Sequence, residues 1–233
     1  MARLAYFDGW EKDQLTRLAA GAKQYIVQKK VKIVGKGDLI NSLFVVVSGQ
    51  VRLFIPLSNG SERVISQVGR GESFGEPCMI VNQPCPYEAV AGKKSHIISI
   101  DGLVYRQVLR QNPSMVERTL SLVSERLLLT LRDIEICAQP SSIQRVARYL
   151  MHLKPEPIKH DSPEHSFEVR LPALKRDIAA KLGLSQETFS RMLAFMTKQG
   201  FIHVKGAHIK VNDRNTLQRM TTSGCPMDVG EKI

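Results

Sequence analysis

Residues 173–211 hold two short helix patterns joined by a glycine and followed by a hairpin pattern, and this arrangement leaves few folds open. The stretch ALKRDIAAKLG reads as a helix stopped at Gly183, a residue that tolerates positive φ. Ser185 then offers its hydroxyl to an exposed backbone N–H and starts a second helix. In that helix Phe189, Met192, Leu193 and Met196 recur at i, i+3, i+4 and i+7, so they are expected in the core. Glu187, Ser190, Arg191, Ala194 and Lys198 fall on the opposite face, and Gly200 ends the helix. Phe201–Val204, a Lys205-Gly206-Ala207 turn and His208–Val211 make a small hairpin. Together these elements predict a winged helix-turn-helix whose second helix enters the major groove of double-stranded DNA.

Charge supports that prediction. Residues 170–210 carry 8 basic and 2 acidic side chains, and the whole chain carries a net +11 with a pI near 9.7, a balance that favours a polyanionic partner. Arg191 is placed to form a bidentate contact with a guanine edge, and Glu187 can accept from a cytosine amino group. Ser190 is short enough to meet a base edge or a thymine methyl. Ser185 and Gln186 sit at the start of the same helix, while Lys175, Arg176 and Lys198 are expected on phosphates. The plainer alternative is that Glu187 and Arg191, spaced i and i+4, form only a surface ion pair.

At 233 residues the chain is long enough to fold without staples, and its 43% hydrophobic and 24% charged residues are ordinary globular values. No apolar run of membrane-spanning length occurs. The first eight residues reach charge too early for a signal peptide, so no membrane association and a cytoplasmic location are expected. Cys78, Cys85, Cys137 and Cys225 are widely spaced, without the pattern of a zinc site or a disulfide framework. Phosphate-loop, nucleophile-elbow and H-E-x-x-H signatures are also missing, and no enzyme is expected.

Ahead of the helix-turn-helix, residues 25–110 read as β. Leu43–Val47 and Val51–Ile55 flank Ser48-Gly49 and are expected to form a hairpin, and Ser58-Asn59-Gly60 marks a second turn before Val64–Val68. Glycines at 35, 37, 49, 60, 69, 71 and 75 punctuate short strands, the pattern of a barrel or jelly roll. From Pro113, Val116, Leu120, Val123, Leu127, Thr130, Ile134 and Cys137 alternate spacings of four and three, a heptad seam that favours a homodimer over the plainer reading of a single amphipathic core helix. Leu122, Leu128, Leu129, Leu131 and Ile136 lie off that seam and are expected to cover the β block. Ile143, Val146, Ala147, Leu150 and Met151 begin a further helix after Pro140. The expected divisions are a β domain at 1–110, to which the family resemblance described next assigns effector sensing, a dimerisation helix at 111–139, a DNA-binding domain at 140–220 and a polar tail at 221–233.

These residues resemble the cyclic-AMP receptor protein and fumarate-nitrate regulator (CRP/FNR) family along nearly the whole chain. The markers are V-V-S-G-Q-V-R-L-F at 46–54, G-E-S-F-G-E at 71–76, the long helix, and G-L-S-Q-E-T-F-S-R at 183–191. The resemblance implies an α+β chain with an N-terminal jelly roll of the cyclic-nucleotide-binding type, a dimerisation helix and a C-terminal winged helix-turn-helix. It also implies an effector-controlled transcription regulator that meets RNA polymerase. Glu187, Ser190 and Arg191 match the E-x-x-S-R pattern of the oxygen- and nitric-oxide-responsive branch, which implies TTGAT-N4-ATCAA-like palindromes read by a dimer.

What the resemblance implies for the effector is less uniform. Gly75 and Glu76 match the pair that holds the ribose of cyclic AMP, but Pro86 and Tyr87 stand where the phosphate-binding Arg-Ser pair would be. A buried phosphate without its guanidinium loses a charge-assisted bidentate bond. Thr130 stands where the family contacts the adenine. The preferred reading of Gly75 and Glu76 is a barrel turn with a surface or structural carboxylate. No cysteine precedes Cys78, so the N-terminal iron–sulfur cluster of the oxygen sensor is not expected. Cys85-Pro86 resembles a haem-regulatory motif, with Cys85 as the iron ligand and His96 or His152 as further candidates, and nitric oxide or carbon monoxide as effector. A thiol switch at Cys78 or Cys85, cyclic-nucleotide control, and two cysteines that are merely small core residues stay open beside it.

Overall fold

The computed structural model describes residues 4–157 and 165–223, which form two compact units dividing at Leu128/Leu129. The N-terminal unit opens with a short 3-10 turn (Ala5–Phe7) and helix α1 (Lys12–Ala20), followed by strands β1 (Ala22–Val27) and β2 (Lys32–Val34). Strands β3 (Ser42–Ser48), β4 (Val51–Pro56), β5 (Glu62–Val68) and β6 (Ser73–Phe74) follow. Helix α2 (Glu76–Val81), strands β7 (Glu88–Ala91) and β8 (Ser95–Asp101), and helix α3 (Gly102–Arg110) complete it with the start of α4 (Pro113–Cys137). The strands make two antiparallel sheets, ordered β1-β8-β3-β6 and β2-β7-β4-β5.

Strand β3 explains its own uninterrupted apolar run. Leu43 and Val45 pack on one side into a cluster with Leu18, Tyr105, Val108 and Met115 from the helices. Phe44 and Val46 point the other way, into a cluster with Val51, Phe74, Cys85 and Ile97. A strand covered on both faces needs no polar alternation.

The hairpin expected across Ser48-Gly49 does not form. Strand β3 pairs with β8 and β6, whereas β4 pairs with β5 and β7, so Ser48–Gln50 carries the chain from one sheet to the other. Gly49 lies at φ 93°, and a Cβ there would meet the Ser95 hydroxyl and stand 2.6 Å from the Lys94 carbonyl oxygen. The glycine thus permits a close crossing between sheets, not a two-strand turn. The second turn signal does close a hairpin: Leu57 and Ser61 are hydrogen-bonded between β4 and β5, with Gly60 at φ 78°.

The long helix begins at Pro113 as expected. Among the five off-seam residues, Leu122 packs on the N-terminal unit and Ile136 is buried in the core of the C-terminal unit. Leu128, Leu129 and Leu131 are more than half exposed, which corrects the expectation that they cover the β block.

In the C-terminal unit, α5 (Ser142–His152) begins with a capping box between Ser141 and Gln144. Strands β9 (Pro155–Glu156) and β10 (Phe167–Arg170) precede helices α6 (Lys175–Leu182) and α7 (Gln186–Lys198). The wing strands β11 (Ile202–Lys205) and β12 (His208–Val211) join β10 and β9 in one sheet, so the wing is backed by strands on one side. Helix α8 (Arg214–Ser223) closes the core through Leu217 and Met220. Thr221, expected in a polar tail, is buried within this helix. Residues 224–233, with Cys225, lie outside the described residues.

Candidate nucleic-acid interface and effector pocket

Helix α6 ends where the sequence indicates, with Gly183 in the left-handed conformation at φ 67°. The chain turns through Leu184, whose N–H donates to the Ala179 carbonyl at 2.9 Å, and re-enters helix at Ser185. The Ser185 hydroxyl accepts from the Thr188 N–H at 3.1 Å, fixing the start of α7. Phe189, Leu193 and Met196 are buried, and Met192 packs against the same core. That anchoring faces the opposite side of α7 outward. Gln186, Glu187, Arg191, Ala194 and Lys198 are exposed and Ser190 is half-buried.

The charges on this face are available for contact. Glu187 is held below the usual carboxylate range by its own helix-terminal N–H and by the Ser185 hydroxyl, so it presents an anion. Among the described residues no ion pair joins Glu187 to Arg191, although the spacing would allow one. Arg176 is exposed, with Asp177 3.8 Å away, and Lys175 is half-buried at the start of α6. On the wing sheet, His208 meets Glu156 at 3.1 Å.

In the N-terminal unit, Gly75 and Glu76 form a tight internal site. Gly75 has φ 96°, and a Cβ there would come within 3.0 Å of the Ser42 carbonyl oxygen and 3.2 Å of the Phe44 ring. Glu76 is only 2% exposed. Arg126 of α4 donates from Nη1 to both carboxylate oxygens at 3.1 Å and from Nη2 to Ser73 Oγ at 2.9 Å. The Ser73 hydroxyl donates in turn to Glu76 Oε1. Glu76 is therefore a structural carboxylate engaged from within the chain. Sequence reasoning missed Ser73 and Arg126. Arg126 lies beside Leu127 on the rim of the heptad seam, and that position was the one signal that could have found it.

Cys85 is 1% exposed, and its thiol donates to the Tyr87 carbonyl at 3.3 Å. Its N–H donates to the Asp38 carbonyl at 2.8 Å, and its own carbonyl accepts from Gly37 at 2.7 Å. Cys78 lies against it, and burial followed by the neighbouring Cys85 thiol pushes Cys78 up to about 11. Tyr87, buried beside both thiols, is also raised, first by desolvation. A haem iron needs an open thiolate and a flat cavity next to it. A sulfur packed among Val34, Val46, Phe74 and Ile97, with its proton on a carbonyl, does not fit a haem. His96 is bonded to Gln24 at 3.0 Å and His152 donates to the Arg148 carbonyl at 2.9 Å. No cluster of three or more His, Cys, Asp or Glu side chains among the described residues is placed to hold a metal ion. Thr130 is exposed on α4.

Residues 26–112 match the cyclic nucleotide-binding domain family, and residues 144–220 match the Crp-like helix-turn-helix domain family. The chain belongs to the CRP/FNR family of transcription regulators. As a member of this CRP/FNR family it is a DNA-binding regulator with an effector-binding domain. Similar proteins include the cAMP-activated global transcriptional regulator Vfr of Pseudomonas aeruginosa, 26% identical over 82% of this chain and 90% of its own. An anaerobic regulatory protein of Pasteurella multocida is also 26% identical, over 89% of this chain and 74% of its own. Equal likeness to a cAMP-activated and an anaerobic regulator does not single out the oxygen- and nitric-oxide-responsive branch of the CRP/FNR family. A CooA variant from Carboxydothermus hydrogenoformans superposes with a TM-score of 0.74 at 16% identity, covering 92% of each chain, a likeness of fold alone. No helix among the described residues is long and apolar enough to cross a membrane.

Proposed function

We propose that the protein acts in the cytoplasm as a homodimer that binds TTGAT-N4-ATCAA-like palindromes and regulates transcription there, in contact with RNA polymerase. The observation that carries this reading is the outward face of α7, where Gln186, Glu187 and Arg191 stand exposed and Ser190 half-exposed on a basic span. Arg191 would read a guanine, Glu187 a cytosine and Ser190 a neighbouring base, while Ser185, Lys175, Arg176 and Lys198 hold the phosphates. Half-sites one helical turn apart require two copies of this helix. The seam of α4 supports the dimer: Leu120, Leu127 and Ile134 are 65%, 58% and 59% exposed in the single chain, and Val116 and Thr130 are also exposed. Val123 is half-buried, and Cys137 turns its thiol to the Lys181 carbonyl at the end of the seam. Leu128 and Leu131 widen the apolar strip beyond strict heptad positions.

Fluorescence anisotropy with the palindrome and a scrambled duplex tests the reading. Specific binding should exceed non-specific binding by at least about 10³-fold at physiological salt and weaken steeply as salt rises. Equal affinity for both duplexes would overturn the sequence assignment.

Cyclic-nucleotide control has less support than control by another effector. Glu76 already has a guanidinium partner, and Pro86 and Tyr87 bring no cation to a phosphate.

A further inference from the structure

We propose that Cys78 and Cys85 form an oxidisable dithiol inside the effector domain, and that its closure to a disulfide is transmitted to α4 through Glu76 and Arg126. This rests on the reading of the protein as an effector-controlled DNA-binding dimer and assigns the chemical class of the effector: a small two-electron oxidant of thiols.

Three observations place the pair. The two side chains belong to one buried cluster, together with Tyr87. Cys78 sits on α2, and Cys85 lies in the following loop, held at its backbone by Gly37 and Asp38. Between them Asn82 reverses the chain with a left-handed backbone at φ 53°, folding the loop back onto the helix. Both thiols are free, so the structure is the reduced form.

The transmitting contact lies in the same turn of helix. Glu76 is the first residue of α2, and its carboxylate is held by Arg126 of α4 and by Ser73. A disulfide needs its sulfurs at about 2.05 Å, well inside the contact distance of two free thiols. Closing that gap must draw α2 and the 82–87 loop together, because the Cys85 backbone is anchored on both sides. The displacement falls on an ion pair whose carboxylate is buried, and a buried charge tolerates little change in the geometry of its partner.

With a hydroperoxide as oxidant the chemistry balances. The thiolate of one cysteine attacks the peroxide oxygen, the O–O bond breaks, and the leaving oxygen takes up a proton as water or an alcohol. The resulting sulfenic acid is attacked at sulfur by the second thiolate, which displaces hydroxide, and that hydroxide takes up the remaining thiol proton. Two S–H bonds are exchanged for one S–S bond, and the peroxide accepts both electrons. Burial holds the Cys78 thiol above its ordinary range, so little of it is ionised at neutral pH and its reaction is slow there. A mildly alkaline incubation is therefore the suitable condition.

Purified full-length protein, reduced and then treated with hydrogen peroxide, is digested with trypsin and examined by mass spectrometry. Cys78 and Cys85 lie in one tryptic peptide, residues 71–93, so an internal disulfide appears as the loss of two hydrogen masses that thiol reductant restores. Oxidised protein is expected to bind the palindrome at least about fivefold more weakly, reversibly, and this loss is expected to vanish in Cys78→Ser and Cys85→Ser. In Arg126→Ala the disulfide should still form while the change in affinity shrinks. Failure to form the disulfide in protein that binds DNA would overturn the proposal and leave the DNA reading intact, as would a disulfide with no effect on affinity. Protein that forms the disulfide but binds no duplex in either state would instead overturn the DNA reading.

Discussion

Arg191 stands exposed on α7, on the same face as Gln186 and Glu187. Arg191→Ala is expected to cost about 1–3 kcal/mol of discrimination for the guanine it meets, with non-specific binding nearly unchanged. Competition between the palindrome and single-base variants measures this directly. Glu187 leads to a different expectation. Its ordinary range is already acidic, and hydrogen bonds from its own N–H and from Ser185 favour the charged form, so protonation begins at lower pH than for a free glutamate. Base preference at the position it contacts should therefore be flat from neutrality down to about pH 5, an outcome that a pH series of anisotropy titrations checks. Gly75 shows the other kind of residue-scale constraint. At φ 96° against Ser42 and Phe44, Gly75→Ala is expected to destabilise the N-terminal unit by more than about 1 kcal/mol, seen as a lower Tm.

Helix α7 was legible before any coordinates because its two faces obey one period. Phe189, Leu193 and Met196 repeat at helical spacing, Ser185 caps the start, and no other element competes for that pattern. Phe189 is fully buried, and Phe189→Ala is expected to cost about 3–5 kcal/mol and to abolish DNA binding by unfolding the C-terminal unit, measurable by chemical denaturation. Strands β3 and β4 were legible as strands and not as partners. Period and β-branching report that a segment is extended and buried, but pairing depends on residues far along the chain, and Val45 finds Ile98 only in three dimensions. The same reason hid the Glu76–Arg126 bond, whose members are 50 positions apart. Helix α8 was missed as well. Its apolar residues, Leu217 and Met220, are few, and only packing against α5 makes them a face.

The exposed α4 seam is the surface proposed to join two copies of the chain. Paired leucines exposed along a helix are stable in water only when another surface covers them. Leu120→Asp together with Leu127→Asp is expected to shift the protein to monomer in sedimentation velocity, with both units still folded by circular dichroism. Loss of palindrome affinity should accompany it, since one half-site alone lacks its second reader. The crossing at Ser48–Gln50 matters on a different timescale. A ribosome that has released β3 and β4 has produced neither β8 nor β6, the strands that β3 pairs with. The apolar ribbon Leu43–Val47 must therefore wait, sticky and unsheltered, until residue 101 has emerged, and most of its hydrogen-bonding register is settled by β8, the last strand of the N-terminal unit to be made. Nascent chains halted before that point should be clients of chaperones, whereas chains halted just beyond it should already resist proteases.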